Sequence, residues 1–264
     1  MDNDYIISLV EQGKRIDGRK FDEIREIVLE PNISKNAEGS ARCKIGDTEV
    51  LVGVKMDIGE PYPDSPDEGS IVVTTELSPI ASPEFELGPP GVQAIEIARI
   101  VDRGIRESKA IDFKKLVITS GEKCWILFID IYPINDSGNL IDASALGTLV
   151  ALKNTRYVKE ENNKAVFGEF TNKKLELEKT PITITFVKIG NNILLDPNSK
   201  EEEVAEARLS AAVYNGRIYA LQKVVKMGKE DFERLRYNPI EIAKLEYDEG
   251  VLPITIKRPL PSKK

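Results

Sequence analysis

The stretch from residue 123 to residue 153 constrains the fold most strongly. KCWILFIDIYPI is apolar enough to form a central strand, NDSGNLIDAS offers the Gly and Asn residues of a tight loop, and IDASALGTLVALKNT has the composition of a helix. A strand that enters a helix through such a loop is typical of proteins that bind phosphate at the helix N-terminus. The question is whether the loop at 135–144 holds an anion.

Strand and turn signals dominate the rest of the chain. Hairpins are predicted around residues 46–47, 190–191 and 215–216, where Gly and Asn or Asp separate apolar, β-branched runs. PPGVQAIEIARIVDRGIRESKAID predicts a helix with one buried face, and closing helices are predicted at 229–250. The sequence therefore predicts an α+β protein.

Two domains are expected from the length and from a change in composition. A chain of 264 residues is long enough for two ordinary domains. From about Arg156 the sequence becomes charged and rich in Asn, and strands then precede helices a second time. We place the domains at 1–155 and 156–264.

Composition removes several kinds of chemistry. The chain has no histidine, which excludes Ser-His-Asp hydrolysis and imidazole general bases. Cys43 and Cys124 lie far apart without metal-type spacing, so we expect reduced core residues of a cytoplasmic protein. No apolar stretch approaches the ~20 residues that span a bilayer, so no membrane partner is expected. The net charge of −7 argues against a globally basic RNA-binding surface but leaves room for a local one.

Several segments together resemble the ribonuclease PH family. These segments are RIDGR, EGSARCKIGDTEVLVGV, ARIVDRGIRESKAID and IDIYPINDSGNLIDASALGTLVAL. The likeness covers about residues 14–250, and KMDIGEPYPDSPDEG is most similar to the non-catalytic ribonuclease PH-like subunits of archaeal exosomes. The resemblance implies a two-domain RNase PH fold. Its core would be β-α-β-α, like domain 2 of ribosomal protein S5, with a smaller α/β C-terminal domain.

The resemblance also implies a function and partners. Catalytic family members shorten single-stranded RNA from its 3′ end, with inorganic phosphate as the nucleophile. The implied assembly is a hexameric ring in which three copies of this chain alternate with three catalytic RNase PH-like exosome subunits, under cap proteins with RNA-binding domains. Mg²⁺ and inorganic phosphate would then belong to the catalytic partner. For this chain we expect no cofactor, no metal ligand and no catalytic residue.

The loop at 135–144 departs from the catalytic pattern, which resembles ADGGTRTAA. Leu140 stands where the family's phosphate-binding Arg is found, and a leucine cannot bind an anion. Asp142 adds a carboxylate that would repel phosphate. We favour a helix cap or a first-turn acid for Asp142 over a ligand role. The loop is therefore expected to be degenerate and non-functional at Leu140 and Asp142.

A second departure lies in LLDPNSKEEEVAEARLSAA. Catalytic members carry an acidic pair there that supports a metal ion. Glu203 corresponds to its first position, but Arg208 stands near the second, and a guanidinium opposes a divalent cation. For the acidic triplet 201–203 we favour a solvated helix turn.

A basic stripe on the predicted helix is the candidate RNA-binding site. Arg99, Arg103 and Arg106 fall within roughly a 60° arc, away from the apolar face. From the residues alone, ion pairs with neighbouring acids are the favoured explanation, at ~0.2–0.5 kcal/mol each. The resemblance implies instead that they contact the RNA backbone beside the catalytic neighbour, with Arg106 the weakest candidate. Arg suits that role because its planar fork engages phosphate oxygens in pairs.

Three functions stay open from the sequence. The first is a non-catalytic scaffold that positions RNA in an exosome ring. The second is a phosphorolytic 3′–5′ exoribonuclease that acts by itself as a homo-oligomer, using Glu203. The third is an RNA-binding α/β module of ribosomal type. Leu140 and Arg208 argue against the second, and the extent of the likeness argues against the third.

Overall fold

The computed structural model describes residues 3–161, 164–224 and the short strand 254–256. The closing helices predicted at 229–250 lie outside these residues. No helix in the described part of the chain is long and apolar enough to cross a membrane.

The helices are α1 Asn3–Glu11, α2 Val92–Ser108, α3 Leu140–Lys153 and α4 Ser199–Glu203, with a 3₁₀ turn at Phe113–Leu116. The strands are β1 Ile27–Pro31, β2 Gly39–Ile45, β3 Thr48–Gly59, β4 Ser70–Thr75, β5 Val117–Thr119, β6 Lys123–Asn135, β7 Arg156–Glu161, β8 Lys164–Lys174, β9 Ile182–Ile189, β10 Asn192–Leu195, β11 Ala207–Tyr214, β12 Arg217–Val224 and β13 Ile254–Ile256.

The strands form two larger sheets and one hairpin. The first sheet has the order β13-β1-β2-β3-β6-β4, and β5 pairs with β6 beside it. Its pairs are antiparallel except β1 with β13 and β4 with β6. The second sheet, β10-β9-β11-β12, is antiparallel throughout, and β7 pairs with β8. The predicted α+β class is confirmed.

The predicted hairpins are present, and their turns use left-handed backbone. Gly46 joins β2 to β3 with φ of 57°, and Gly190 joins β9 to β10 with φ of 57°. Asn215 and Gly216 both have positive φ, 47° and 69°, between β11 and β12. Two consecutive positive φ values are what a two-residue hairpin of the I′ type requires, and Asn-Gly is its preferred sequence. Local turn chemistry therefore sets the register of these strands.

Helix α3 is buried between the two sheets. It packs against β2 and β3 of the first sheet and against β9 of the second. Buried residues occur on every side of it, including Leu140, Ala143, Leu149 and Leu152. A helix that is apolar all round belongs in the interior, whereas α2 is amphipathic and keeps one face exposed. The loop before α3 is thereby held at the junction of the sheets.

Each larger sheet has its own apolar core. The larger core includes Val52, Leu127 and Ile129, and the core of the second sheet includes Phe186 and Leu209. The β7–β8 hairpin follows the domain boundary predicted at residue 156, yet its buried Tyr157 and Val158 belong to the larger core. That boundary stays a prediction.

Candidate functional site

The loop between β6 and α3 makes a tight turn against the second sheet. Gly138 has φ of 87° and Asn139 has φ of 59°, so the loop uses left-handed backbone at two adjacent positions. A Cβ on Gly138 would lie 2.4 Å from the backbone carbon of Asn198 and 2.4 Å from the backbone nitrogen of Ser199. The Ser199 amide donates to the carbonyl oxygen of Ser137 at 3.1 Å. A left-handed turn with a glycine that allows close contact is also found in phosphate-binding loops. Here the space in front of Gly138 is occupied by the backbone of Asn198 and Ser199.

Polar groups of the protein satisfy the loop backbone. The Asn139 amide at the start of α3 donates to Oε1 of Glu202 at 3.1 Å, and the Gly138 amide donates to Oδ1 of Asp136 at 2.9 Å. The carbonyl oxygen of Gly138 accepts from Thr48 Oγ1 at 2.6 Å and from the Arg25 guanidinium at 3.1 Å. The amides that would hold an anion thus hold two carboxylates of the same chain.

The surroundings of Glu202 are too confined for an added phosphate. Burial raises the pKa of Glu202 to about 7, against the smaller opposing effects of the Asn139 hydrogen bond and the charge of Arg208. The cleft between Glu202, Arg208 and the buried Leu140 has a volume of about 10 Å³. That volume is at the lower limit for one water molecule. This cleft is therefore too small for an inorganic phosphate.

Asp142 lies in the first turn of α3, as predicted, but its contacts are with the second sheet. Its Oδ2 accepts from Asn139 Nδ2 at 2.8 Å and from the Thr185 amide at 2.9 Å. Its Oδ1 is 2.7 Å from Thr185 Oγ1, which is 2.8 Å from Ser210 Oγ. Burial raises the pKa of Asp142 to about 8, and nearby Asp196 adds to the rise. Because a carboxyl with this pKa is mostly protonated at neutral pH, Asp142 acts as a buried hydrogen-bonding acid.

An acid and two arginines join the N-terminal segment to the loop. Asp196 pairs with Arg25 at 2.7 Å and with Arg19 at 2.9 Å, and it also accepts from Asn139 Nδ2 at 2.7 Å. Burial disfavours its charge, yet the hydrogen bond and the charge of Arg25 hold the pKa of Asp196 below its usual value. Because Asp196 is charged and the neighbouring Asp142 is protonated, the two acids do not repel each other at the junction of the sheets.

The acidic triplet 201–203 was wrongly assigned to a solvated turn in one case. Glu201 is fully buried and forms a two-pronged ion pair with Arg15, at 2.8 and 2.5 Å. Glu202 is half-buried, whereas Glu203 is exposed at the end of α4. The correction has a physical reason, because the partners of Glu201 and Glu202 are distant in sequence. One local signal existed, since Asn198 and Glu201 form a capping box at the start of α4.

Arg208 is engaged in an ion pair with Glu96 of α2. Its Nη2 lies 2.7 Å from Oε2 of Glu96 on α2, and the other oxygen of Glu96, Oε1, accepts from Gln222 Nε2 at 3.3 Å. Within residues 3–161 and 164–224, no three His, Cys, Asp or Glu side chains are grouped as a metal ion would require.

The three arginines of α2 are exposed on one face but differ in their contacts. Arg106 pairs with Asp102 at 2.8 Å, donates to the carbonyl oxygen of Ile71 at 3.3 Å and lies over the ring of Phe113. Arg99 and Arg103 form no ion pair with any described residue. Among the described residues, the stripe therefore holds two arginines without an ion pair, Arg99 and Arg103, and one, Arg106, that is paired with Asp102.

Comparisons with known proteins agree with this architecture. Residues 23–157 match the 3′ exoribonuclease family, domain 1, and residues 179–233 match domain 2 of that family. The chain is 52% identical over 221 residues to exosome complex component Rrp42 of Methanocella arvoryzae, covering 83% of each protein. It is 48% identical over 221 residues to Rrp42 of Archaeoglobus fulgidus, covering 83% of each protein.

Solved structures give the same result. A chain of the Archaeoglobus fulgidus exosome with RNA bound to the active site superposes with a TM-score of 0.84 at 43% identity, covering 92% of this chain and 94% of that one. A chain of an archaeal exosome core gives 0.80 at 40% identity, with coverage of 94% and 96%. The RNase PH fold predicted from the sequence is confirmed. With both domains matched in order, the chain belongs to the ribonuclease PH family of 3′ exoribonucleases.

Proposed function

We propose that this chain is a non-catalytic subunit of a cytoplasmic exosome ring that positions single-stranded RNA for phosphate-dependent 3′–5′ degradation by a partner. One observation carries the proposal: the amide at the N-terminus of α3 is bonded to Glu202 of the same chain. In a phosphate-dependent exoribonuclease this position must accept the attacking phosphate. Here an internal carboxylate takes its place, and Leu140 stands where the catalytic pattern has a phosphate-binding Arg.

The partner follows from what this chain lacks. A ring with this subunit would need a catalytic RNase PH-like subunit to bind phosphate and Mg²⁺, and the similar Rrp42 proteins are named as exosome components. We propose three copies of each subunit in alternation, with cap proteins that carry RNA-binding domains on the ring.

Arg99 and Arg103 are the proposed RNA contacts of this chain. Both are exposed and unpaired within the described residues, so neither would have to give up an ion pair to bind phosphate. Arg106 is the weaker candidate because Asp102 already neutralises it. The arginines would hold the backbone without selecting a base, as side chains that pair with phosphate oxygens do.

The proposal is tested by two binding measurements. Phosphorus NMR of the chain alone, titrated with inorganic phosphate in the millimolar range, is expected to show no binding. The assembled ring with Arg99→Glu and Arg103→Glu is expected to bind single-stranded RNA at least ~10-fold more weakly at low salt, because each lost phosphate contact removes a favourable charge interaction. Arg217→Glu, at the exposed first residue of β12, is the matched control and should leave RNA affinity unchanged. Saturable phosphate binding by the chain alone would instead favour the self-sufficient exoribonuclease.

A further inference from the structure

The β7–β8 hairpin lies between the two parts of the chain that match the family. Those parts are residues 23–157 and 179–233, so residues 158–178 belong to neither of them. The hairpin packs the buried Val158 and the partly buried Phe170 on the larger core, while most of its other side chains are exposed. The two family domains therefore do not explain the outer surface of this hairpin.

Two cations face each other across the hairpin. Arg156 of β7 and Lys174 of β8 are direct partners in the strand register, so their side chains leave the same face. Both are exposed, and neither forms an ion pair with another described residue. Glu176, just after β8, pairs with Lys115 instead, at 3.0 Å. Because like charges directly opposite each other destabilise a strand pair, an anion between these two cations would relieve their repulsion.

The acids of the hairpin do not compensate this charge. Glu161 and Glu169 both pair with Lys159, at 2.5 and 3.4 Å. Glu160 lies opposite Ala165, nearer the turn of the hairpin than the opposed cations are. Among the described residues, the end of the hairpin away from its turn therefore carries uncompensated positive charge.

Aromatic rings accompany the cations. The guanidinium carbon of Arg156 lies 5.1 Å from the ring centroid of Phe170. Phe167 is 58% exposed, in a part of β8 whose register with β7 is irregular. Lys55 of β3 places its Nζ 4.7 Å from the centroid of the Phe167 ring, and the same Nζ pairs with Glu38 at 2.7 Å. A ring that a tethered cation contacts, and that stays largely exposed, is suited to stack on a flat ligand.

We infer that the β7–β8 hairpin is a second surface for single-stranded RNA, separate from the arginines of α2. Arg156 and Lys174 hold a backbone phosphate between them, and Phe167 stacks on a base. An acidic peptide would neutralise the two cations but would leave the exposed ring unused, so the combination favours RNA. The inference rests on the proposed function, and it places an RNA contact outside both family domains.

Binding of a labelled single-stranded RNA to the ring tests the inference, with EDTA present and phosphate absent so that the RNA is not degraded. Arg156→Glu combined with Lys174→Glu should weaken binding by ~10-fold or more at low salt, and Phe167→Ala by ~5-fold or more. Lys14→Glu combined with Arg217→Glu makes the same change in charge at exposed positions outside the hairpin, and it should leave the affinity unchanged. Unchanged affinity of the hairpin variants overturns the inference.

A single substitution separates RNA binding from a structural role of these cations. Arg156→Glu places a carboxylate opposite Lys174, so the repulsion across the hairpin is replaced by attraction. The melting temperature should therefore stay close to that of the unaltered protein, while RNA affinity still falls by ~3-fold or more at low salt. A marked fall in melting temperature together with the weaker binding would assign the cations to folding and overturn the inference.

Competition identifies the class of ligand. The chain alone with Arg99→Glu and Arg103→Glu keeps the hairpin as its proposed RNA contact, and unlabelled single-stranded RNA should displace a labelled RNA from it. Polyglutamate should displace the RNA poorly, and displacement as effective as by RNA would assign the hairpin to an acidic protein. Phe167→Ala should weaken the binding of RNA but not that of inorganic polyphosphate, which has no bases. Equal effects on both would assign the hairpin to any polyanion, and either of these results overturns the choice of RNA.

The outcome for this inference is distinguishable from that for the proposed function. Weaker RNA binding by the ring with Arg99→Glu and Arg103→Glu, but not with the hairpin variants, contradicts only the hairpin surface. Weaker binding with the hairpin variants alone supports the hairpin surface and contradicts the contacts proposed for α2.

Discussion

Replacing Asp142 with Asn should remove most of a pH dependence from the stability of this protein. The pKa of Asp142 is raised from an ordinary value of 3.8 to about 8. Between these values the folded chain keeps a proton that the unfolded chain releases. The free energy of unfolding should therefore fall as pH rises from about 4 to about 8, and it should level off above that range.

The magnitude follows from the same pKa difference. One proton contributes at most about 1.4 kcal/mol per pH unit, so the full window is worth on the order of 5 kcal/mol. Asn preserves the contacts because its oxygen can accept from Asn139 and the Thr185 amide. Its amide can donate to Thr185 Oγ1, whose own hydrogen then goes to Ser210. The variant should exceed the original protein by about 1.5 kcal/mol near pH 5 and by about 5 kcal/mol at pH 8.5.

Urea denaturation from pH 5 to pH 8.5 measures this difference. Glu202, whose pKa is raised to about 7, gives both proteins a slope of the same sign, so the difference between the curves isolates Asp142. Asp22→Asn, at an exposed position, is the control and should run parallel to the unaltered protein. Parallel curves for Asp142→Asn would refute the reasoning, since Asp142 would then carry the same charge in both states.

Three further predictions concern other parts of the molecule. Arg15→Ala leaves Glu201 charged and buried, so chemical denaturation should show a loss of about 3–5 kcal/mol. Gly138→Ala places a Cβ against backbone and requires a left-handed conformation, so it should lower the melting temperature by at least ~4 °C, corresponding to ~2 kcal/mol, while an unchanged temperature would mean that the loop can yield. For the ring, RNA affinity can be plotted against salt concentration on logarithmic axes. The slope of this plot should become shallower by about 1.4 when Arg99 and Arg103 are both changed to Glu. An unchanged slope would exclude the two arginines as phosphate contacts.

Much of the fold could be predicted from the sequence because its turns, helices and strands depend on residues that are close together in the chain. The Asn215-Gly216 turn, the amphipathic α2 and the apolar β6 each carry a signal within a few residues. The sequence did not predict the β7–β8 hairpin that forms in the charged segment after Arg156. Its strands are largely exposed and rich in Lys and Glu, so the alternation that marks a strand is weak there.

The sequence predicted only part of the candidate site. Leu140 marks a departure from the catalytic pattern, and whether the loop has lost phosphate binding stays a prediction. The substitute anion was missed because Glu202 reaches Asn139 from 63 residues away. Glu201 likewise pairs with Arg15 at a separation of 186 residues. Composition alone makes an acidic triplet look solvated, and contacts across such separations depend on how the two sheets pack.

The release of nucleoside diphosphate from single-stranded RNA, in phosphate and Mg²⁺, tests the central claim most directly. The chain should be assayed alone and then co-purified with its proposed catalytic partner. The account predicts no release by the chain alone and phosphate-dependent release by the pair. Phosphate-dependent release by the rigorously purified chain alone would contradict it, because Glu202 and Leu140 would then not prevent phosphate from binding.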